Sequence, residues 1–264
     1  MLLSSNKRKT AKAFGRSAAG YHLHARFQAA MAAQTAELAI PRIKPGARIA
    51  DIGCGDGALA AAIMERAKPS VAVALDMSGA MLKAASGRLN PLSAALIQGD
   101  AEALPLASGS MDHIVSSLAL QWVDDIHSAM GEMARALAPG GGMTVATLGP
   151  GTFPELASAL AEHGAAPPCA DFAPEEALAQ ALHLAGFTYD IVRRNVAHQY
   201  AGFFDFLRTL KGAGALGAPV FSGRGLARRR LLQSMGERYE RLYRSGAGVT
   251  ATYQVFFIRA DLAG

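Results

Sequence analysis

The sequence predicts an α/β fold: a mostly parallel sheet with helices packed on both faces. Three observations predict it. Short apolar runs alternate with helical stretches from residue 47 to residue 149. A cluster of glycines and acids, DIGCGDG (51–57), stands where the first strand should hand over to the first helix. Finally, 51% of the 264 residues are hydrophobic against 18% charged, enough apolar surface for a core lying between two helical layers.

Taken in order, residues 13–40 are alanine-rich with no proline before Pro41, and read as one or two helices. ARIADIGC is then a strand and DGALAAAIMERAK a helix. VAVALD is a second strand before helical SGAMLKAASGRL, and AALIQGD a third before the loop LPLASGSM. HIVSSLAL is a fourth, followed by helical DDIHSAMGEMARAL, in which Asp124 is placed to cap the helix. After the turn APGGG, MTVATLG is a fifth. Residues 152–184 read as helical, FTYDIVRRNVAHQYA as one or two strands, and TATYQVFFIRA as a closing strand. Between them, residues 202–244 break the alternation with a glycine-rich stretch and the basic amphipathic helix LARRRLLQSMGERYERLYR. The expected organisation is a helical arm (1–40), a ligand-binding core (41–200), a helical lid insertion (201–246) with a mobile glycine hinge at 212–217, and a final core strand (247–264).

Composition excludes several classes. No run of 18 uncharged apolar residues exists, so no membrane span is expected. The start, MLLSSNKRKTAKAFGR, is basic but lacks a signal peptide's apolar stretch. Two cysteines are too few for a disulfide framework or a metal cluster, which suits a reducing cytoplasm. The net charge of +5 is unevenly spread: Lys7, Arg8, Lys9, Lys12, Arg16 and Arg26 face no acid within residues 1–30, and eight arginines from Arg224 onward face three acids. An acidic body with two basic ends suggests an anionic partner.

The glycine loop narrows the ligand. Its spacing is G-x-G-x-G rather than G-x-G-x-x-G, and it carries Asp51 and Asp56. Two carboxylates would repel a pyrophosphate but welcome an ammonium group, which favours a cofactor with a cationic end over a dinucleotide. Asp76 ends the second strand, where an acid suits a ribose diol. Asp100, in QGDAEALPL, ends the third and with Ala101 could address an adenine edge.

With DIGCGDG, ALDMS, GDAEALPL and APGG in this order, residues 45–150 resemble the class I S-adenosylmethionine-dependent methyltransferases, which have a Rossmann-like seven-stranded sheet. The resemblance implies S-adenosylmethionine as cofactor, held by Asp51, Gly53, Cys54, Gly55, Asp76, Met77, Asp100 and Ala101. Beyond this core, AFGRSAAGYHLHARFQ (13–28), SSLALQWVDD, GPGTFPEL, TLKGAGA (209–215) and TYQVFF resemble the malonyl-acyl-carrier-protein O-methyltransferases of biotin synthesis. That family would methylate the free carboxylate of a malonyl thioester. A carboxylate already ionised at neutral pH needs no general base, and no Ser-His or His-Asp constellation is found.

The resemblance gives Tyr21 the role of closing over the cofactor, with Gln28 near it. Leu118 would pack on the cofactor, Gln121 orient the acceptor and Trp122 wall off water. Arg208 and Lys211 are candidates to anchor the acceptor's carboxylate or the carrier's phosphate. The implied partner is an acidic acyl-carrier protein bearing malonyl-phosphopantetheine, met by the basic ends, and a monomer is expected. Two other classes share some features: a methyltransferase-fold respiratory-complex assembly factor acting on a protein arginine, and an RNA methyltransferase. RNA ranks lower because no aromatics interleave the basic clusters.

Overall fold

The computed structural model describes residues 4–161, 169, 171–212 and 226–264. The hinge expected at 212–217 lies outside these residues except for Gly212, as do Ala213, Gly214 and Ala215 of the TLKGAGA stretch.

The chain begins with a helical arm: α1 (Ser5–Ser17), the single turn α2 (Tyr21–His24) and α3 (Arg26–Ala39). Strands and helices then alternate as β1 (Arg48–Ile52), α4 (Ala58–Ala67), β2 (Val71–Asp76), α5 (Gly79–Leu89), β3 (Ala95–Gln98) and β4 (Met111–Ser117). They continue with α6 (Ile126–Ala136), β5 (Leu137–Leu148), α7 (Pro154–Ala161), α8 (Glu175–Leu184) and β6 (Phe187–Tyr200). Last come α9 (Phe203–Gly212), α10 (Leu226–Leu242), β7 (Arg244–Ser245) and β8 (Gly248–Leu262).

The strand order is β3-β2-β1-β4-β5-β8-β6. The first five strands are parallel, and β8 enters antiparallel between β5 and β6. The expected seven strands are present, and the two-residue β7 adds an eighth as a short pairing on β8. FTYDIVRRNVAHQYA forms one strand, its register on β8 unbroken from Phe187 to Tyr200. The APGGG turn is carried within β5, where register against β4 jumps from Met111–Leu137 to His113–Gly142.

Strand order reverses between β1 and β4, and in such sheets the ligand crevice opens outside the carboxyl ends of the strands at that point. Apolar residues cover the sheet on both faces. One cluster joins β4, β5 and β8 to α6 and α8 through Ile114, Met130, Met133, Leu182 and Phe256. A second gathers Phe27, Leu156, Phe203, Phe206, Tyr239 and Tyr253 from α3, α7, α9, α10 and β8. No described helix is long and apolar enough to cross a membrane.

Two expectations are corrected. Helix α6 is capped by Asp125, whose carboxylate accepts the His127 N–H at 2.9 Å, while Asp124 instead accepts the Ser4 hydroxyl of the arm. The basic N-terminal run is not wholly a free surface. Lys7 is buried, with its ammonium 2.6 Å from Asp100 and 2.7 Å from Glu102. Burial alone would lower its pKa, but these carboxylates outweigh that and hold it above the ordinary lysine value.

Candidate functional site

A cavity of about 260 Å³ opens at the carboxyl ends of β1, β2 and β4. Its floor is the glycine loop. Gly53, Gly55 and Gly57 all have positive φ, at 73°, 56° and 80°. At Gly53 a Cβ would stand 2.2 Å from that of Ala119, so glycine is required by both conformation and space. The Gly53 and Cys54 N–H groups donate to the Leu75 carbonyl at 2.7 and 2.9 Å, which folds the loop back over β2.

Asp51, at the end of β1, is buried and gives one carboxylate oxygen to the Ala60 N–H at 3.1 Å. Its pKa is pushed up to about 8: burial raises it, the Ala60 bond opposes, and Asp76 and Asp56 raise it further. Asp76 accepts the Ser78 and Gly55 N–H groups at 2.8 and 3.0 Å, and burial pushes it up to about 6 against these bonds. Asp56 is 3.3 Å from Arg88. Three acids around one cavity favour an occupant with a cationic end, and burial makes the charge of Asp51 and Asp76 costly without one.

Three buried side-chain atoms lining this cavity have no hydrogen-bond partner: Asp51 Oδ1, Gln28 Oε1 and Ser117 Oγ. Buried polar groups are normally paired. A ligand bearing an ammonium group and hydroxyls would satisfy them, so these residues fit S-adenosylmethionine.

A second, smaller chamber of about 40 Å³ adjoins the first, and Phe14, Tyr21, Gln28, Leu118 and Trp122 line both. Its other walls include Phe27, Gln121, Phe153, Phe172 and Tyr253. Trp122 sits in a 3-10 turn after β4, with ring edges packed against Phe14 at 5.6 Å and Phe172 at 5.9 Å. It therefore clamps between the arm and the segment before α8. The Gln121 amide donates to the Leu118 carbonyl at 2.8 Å, and its oxygen accepts from Thr147 at 3.3 Å. The Gln121 amide thus ties the turn after β4 to β5, while the Trp122 ring forms part of the chamber wall.

Two bulky residues of this chamber have left-handed backbones, Leu118 at φ 54° and Phe153 at φ 59°. Such positions cost about 1–3 kcal/mol each and persist only where the surroundings hold them. Here the Leu118 N–H donates to Ala146 at 2.8 Å and the Phe153 N–H to Thr252 at 2.7 Å.

Of the residues predicted from sequence, Tyr21, Gln28, Asp51, Gly53, Cys54, Gly55, Asp76, Met77, Ala101, Leu118 and Trp122 line the first cavity, and Gln121 lines the second. Asp100 does not line it. Its carboxylate is taken by Lys7 of the arm and by the Glu102 N–H at 3.1 Å, leaving Gly99 and Ala101 at the wall. Arg208 and Lys211 also lie outside both chambers: Arg208 is exposed and pairs with Asp205 at 3.4 Å, and Lys211 is exposed. On α9 they face away from Leu210, which does line the second chamber. Sequence reasoning missed Phe14, Phe153, Phe172 and Tyr253. The AFGRSAAGYHLHARFQ, GPGTFPEL and TYQVFF stretches contain Phe14, Phe153 and Tyr253 but gave them no role.

The arrangement offers no nucleophile of its own. Burial raises the Cys54 thiol, and pushes that of Cys169 up to about 11, so both stay protonated. His113 is buried against Thr144 at 3.1 Å, and burial pushes it down to about 4. Tyr21 is buried beside Asp56 and Asp76 and held well above the usual phenol range, so it acts as a neutral donor. Among the described residues no cluster could hold a metal ion.

Comparison with known proteins agrees with this geometry. Residues 50–145 match the family model described as a methyltransferase domain. The YcgJ protein of Bacillus subtilis superimposes with a TM-score of 0.64 at 16% identity, over 88% of this chain and 99% of that one. A geranyl diphosphate C-methyltransferase of Streptomyces coelicolor, solved with S-adenosyl-L-homocysteine, gives 0.52 at 15% identity, over 87% and 75%. At such identities the likeness shows the fold. Sequence relatives go further. The malonyl-[acyl-carrier protein] O-methyltransferase of Geobacter sulfurreducens is 30% identical over 96% of this chain and 97% of its own length. That of Erwinia pyrifoliae is 34% identical over 95% and 91%. The biotin biosynthesis bifunctional protein BioHC of Cellvibrio japonicus is 34% identical over 96% of this chain, which spans only 50% of that longer protein. A glycine loop ringed by acids, an aromatic-lined chamber beside it and relatives matched along nearly their whole length place the chain, an S-adenosylmethionine-dependent methyltransferase, in the malonyl-[acyl-carrier protein] O-methyltransferase family.

Proposed function

We propose that this enzyme methylates the free carboxylate of a malonyl thioester borne by an acyl-carrier protein, as its relatives' names state of them. One observation carries the reading: the second chamber joins the cofactor cavity through a shared wall and, among the described residues, is lined by neutral hydrogen-bonding groups such as Tyr21 and Gln121 and by no carboxylate, histidine, lysine or arginine. S-adenosylmethionine supplies a sulfonium methyl: the carboxylate oxygen forms the new O–CH3 bond as the S–CH3 bond breaks, the electron pair stays on sulfur, and no proton moves. Gln121 and Tyr21 orient the carboxylate. Trp122, Phe14 and Phe172 exclude water. An anion and a cation become two neutral groups, so a poorly polar chamber favours the reaction over separated ions. A fixed arginine there would hold the nucleophile back.

An arginine acceptor fits this chamber poorly. A guanidinium must lose a proton on methylation, and among the described residues no carboxylate lines the second chamber to take it. For the carrier, exposed bases on α1 and α10, including Arg8, Lys9, Arg229 and Arg230, offer an acidic protein a complementary surface. Free, buried Cys54 and Cys169 suit a cytoplasmic enzyme, and we read it as a monomer. The test is transfer of labelled methyl to malonyl-carrier protein, malonyl-coenzyme A and bulk RNA in parallel. Base-labile label on the malonyl carrier is expected. Cofactor binding without transfer to any malonyl thioester would sink the reading.

A further inference from the structure

We infer that Phe153 sets the length of the diacid that the second chamber accepts, an inference that rests on the carboxyl-methylation reading above. Phe153 belongs to GPGTFPEL, the stretch joining β5 to α7. It lines the second chamber but not the cofactor cavity, so it stands on the wall away from the methyl donor. Its ring is 4% exposed and packs edge-on against Tyr253 at 4.6 Å and Phe206 at 5.1 Å. Phe153 belongs to the apolar cluster around α7, α9 and β8, yet its backbone is not a relaxed one. It is held at φ 59° by its N–H bond to Thr252 of β8, and its carbonyl then accepts the Ala157 N–H that begins α7. These bonds fix the backbone at Phe153, and the edge-on contacts with Tyr253 and Phe206 hold its ring on the wall.

Volume makes that position matter. A water-sized group needs roughly 10–15 Å³ on the same measure, so about 40 Å³ admits about three or four such groups. That suffices for a carboxylate and one methylene. Each methylene added between thioester and carboxylate needs about one group more, and the Phe153 ring occupies the space it would take. A methylene too many discriminates by roughly 10- to 200-fold in an apolar pocket.

The experiment measures kcat/KM for malonyl, succinyl and glutaryl thioesters of one carrier protein, with the full chain and its Phe153→Ala and Phe153→Leu variants. Cofactor Kd and a thermal melt are recorded for each. The wild type is expected to favour malonyl over glutaryl by at least about 100-fold. Phe153→Ala should shrink that ratio at least about tenfold, chiefly by gain on glutaryl, with cofactor Kd unchanged; a filler of core alone would lose activity on all three alike. Phe153→Leu, which keeps more of the packing, should shift the ratio in the same direction by less, and decides the matter if the alanine variant does not fold. A ratio equal to wild type in the folded variants overturns the inference and leaves the malonyl reading standing. A wild type that turns over glutaryl as fast as malonyl overturns it without any variant, and a wild type inactive on every malonyl thioester brings down both.

Discussion

The two chambers are built in opposite ways. The cofactor cavity rests on backbone: a glycine loop, strand ends and buried acids, most of them within residues 51–119. The acceptor chamber rests on side chains, and its aromatics arrive from α1, α2, α3, the turn after β4, the stretch before α7, the segment before α8 and β8. Backbone geometry tolerates no substitution at a few points and is indifferent elsewhere. A wall of side chains can be reshaped one residue at a time without moving the frame, which lets one fold serve different acceptors.

If that contrast is right, the largest effect belongs to the loop. Gly53→Ala places a Cβ 2.2 Å from Ala119 at a φ of 73°. It should abolish measurable cofactor binding by calorimetry and lower the melting temperature by several degrees. An alanine variant binding cofactor within tenfold of wild type would break the comparison at its foundation.

Next is Asp51→Asn, which keeps an acceptor for the Ala60 N–H but removes the charge. Cofactor Kd should rise about 10- to 100-fold, the loss of a desolvated charged contact. The pH dependence has a definite sign. The folded protein holds the Asp51 proton up to about pH 8, whereas the unfolded chain releases it near pH 4. The stability that these carboxyls contribute without cofactor is therefore full below about pH 4 and is lost as pH rises, through about 6 for Asp76 and about 8 for Asp51, while His113, held neutral in the fold, works in the opposite direction up to about pH 6.5. Melting curves between about pH 6.5 and 8, above the range in which His113 offsets it, should show the fall, and Asp51→Asn should flatten it. Binding of a cationic ligand should strengthen over the same range.

Trp122 stands on the wall that the two chambers share, and Trp122→Ala should act mainly on the acceptor side. Removing the ring that Phe14 and Phe172 grip admits water, and kcat should fall about 10- to 100-fold with cofactor Kd within a few-fold of wild type. An equal loss in both quantities would erase the distinction between the chambers. The smallest effects belong to Arg208→Ala and Lys211→Ala, exposed and outside both chambers, since an exposed pair such as Arg208–Asp205 contributes at most about 1 kcal/mol. Turnover of a small malonyl thioester should change less than twofold. With a carrier protein, any rise in KM should fade at high salt.

The same contrast explains what could be read from the sequence. The sheet was legible because period, length and punctuation are local, and the loop because glycines at positive φ leave few alternatives. Tyr21, Gln28 and Trp122 were anticipated only through resemblance. Asp100 misled because nothing local says that Lys7, 93 residues away, takes its carboxylate. Asp124 and Asp125 compete for one cap, and the arm's Ser4 decided between them. Phe153 and Leu118 were invisible in their special role, since a left-handed bulky residue is enforced by a neighbouring strand and carries no local mark. Arg208 and Lys211 drew notice as charges near a glycine-rich stretch, but the amphipathic helix that carries them turns Leu210 inward.

The insertion of β8 between β5 and β6 has a consequence for how the protein is made. Residues 248–262 bring Tyr253 to the acceptor chamber, Thr252 to the Phe153 N–H and Gln254 to the Gly149 and Gly151 N–H groups. During synthesis from the amino terminus, the glycine loop and its acids are complete long before that strand emerges. A ribosome-bound chain therefore carries the elements of a cofactor site while its substrate chamber still lacks a wall, and competence to methylate arrives late, with the strand that locks the sheet.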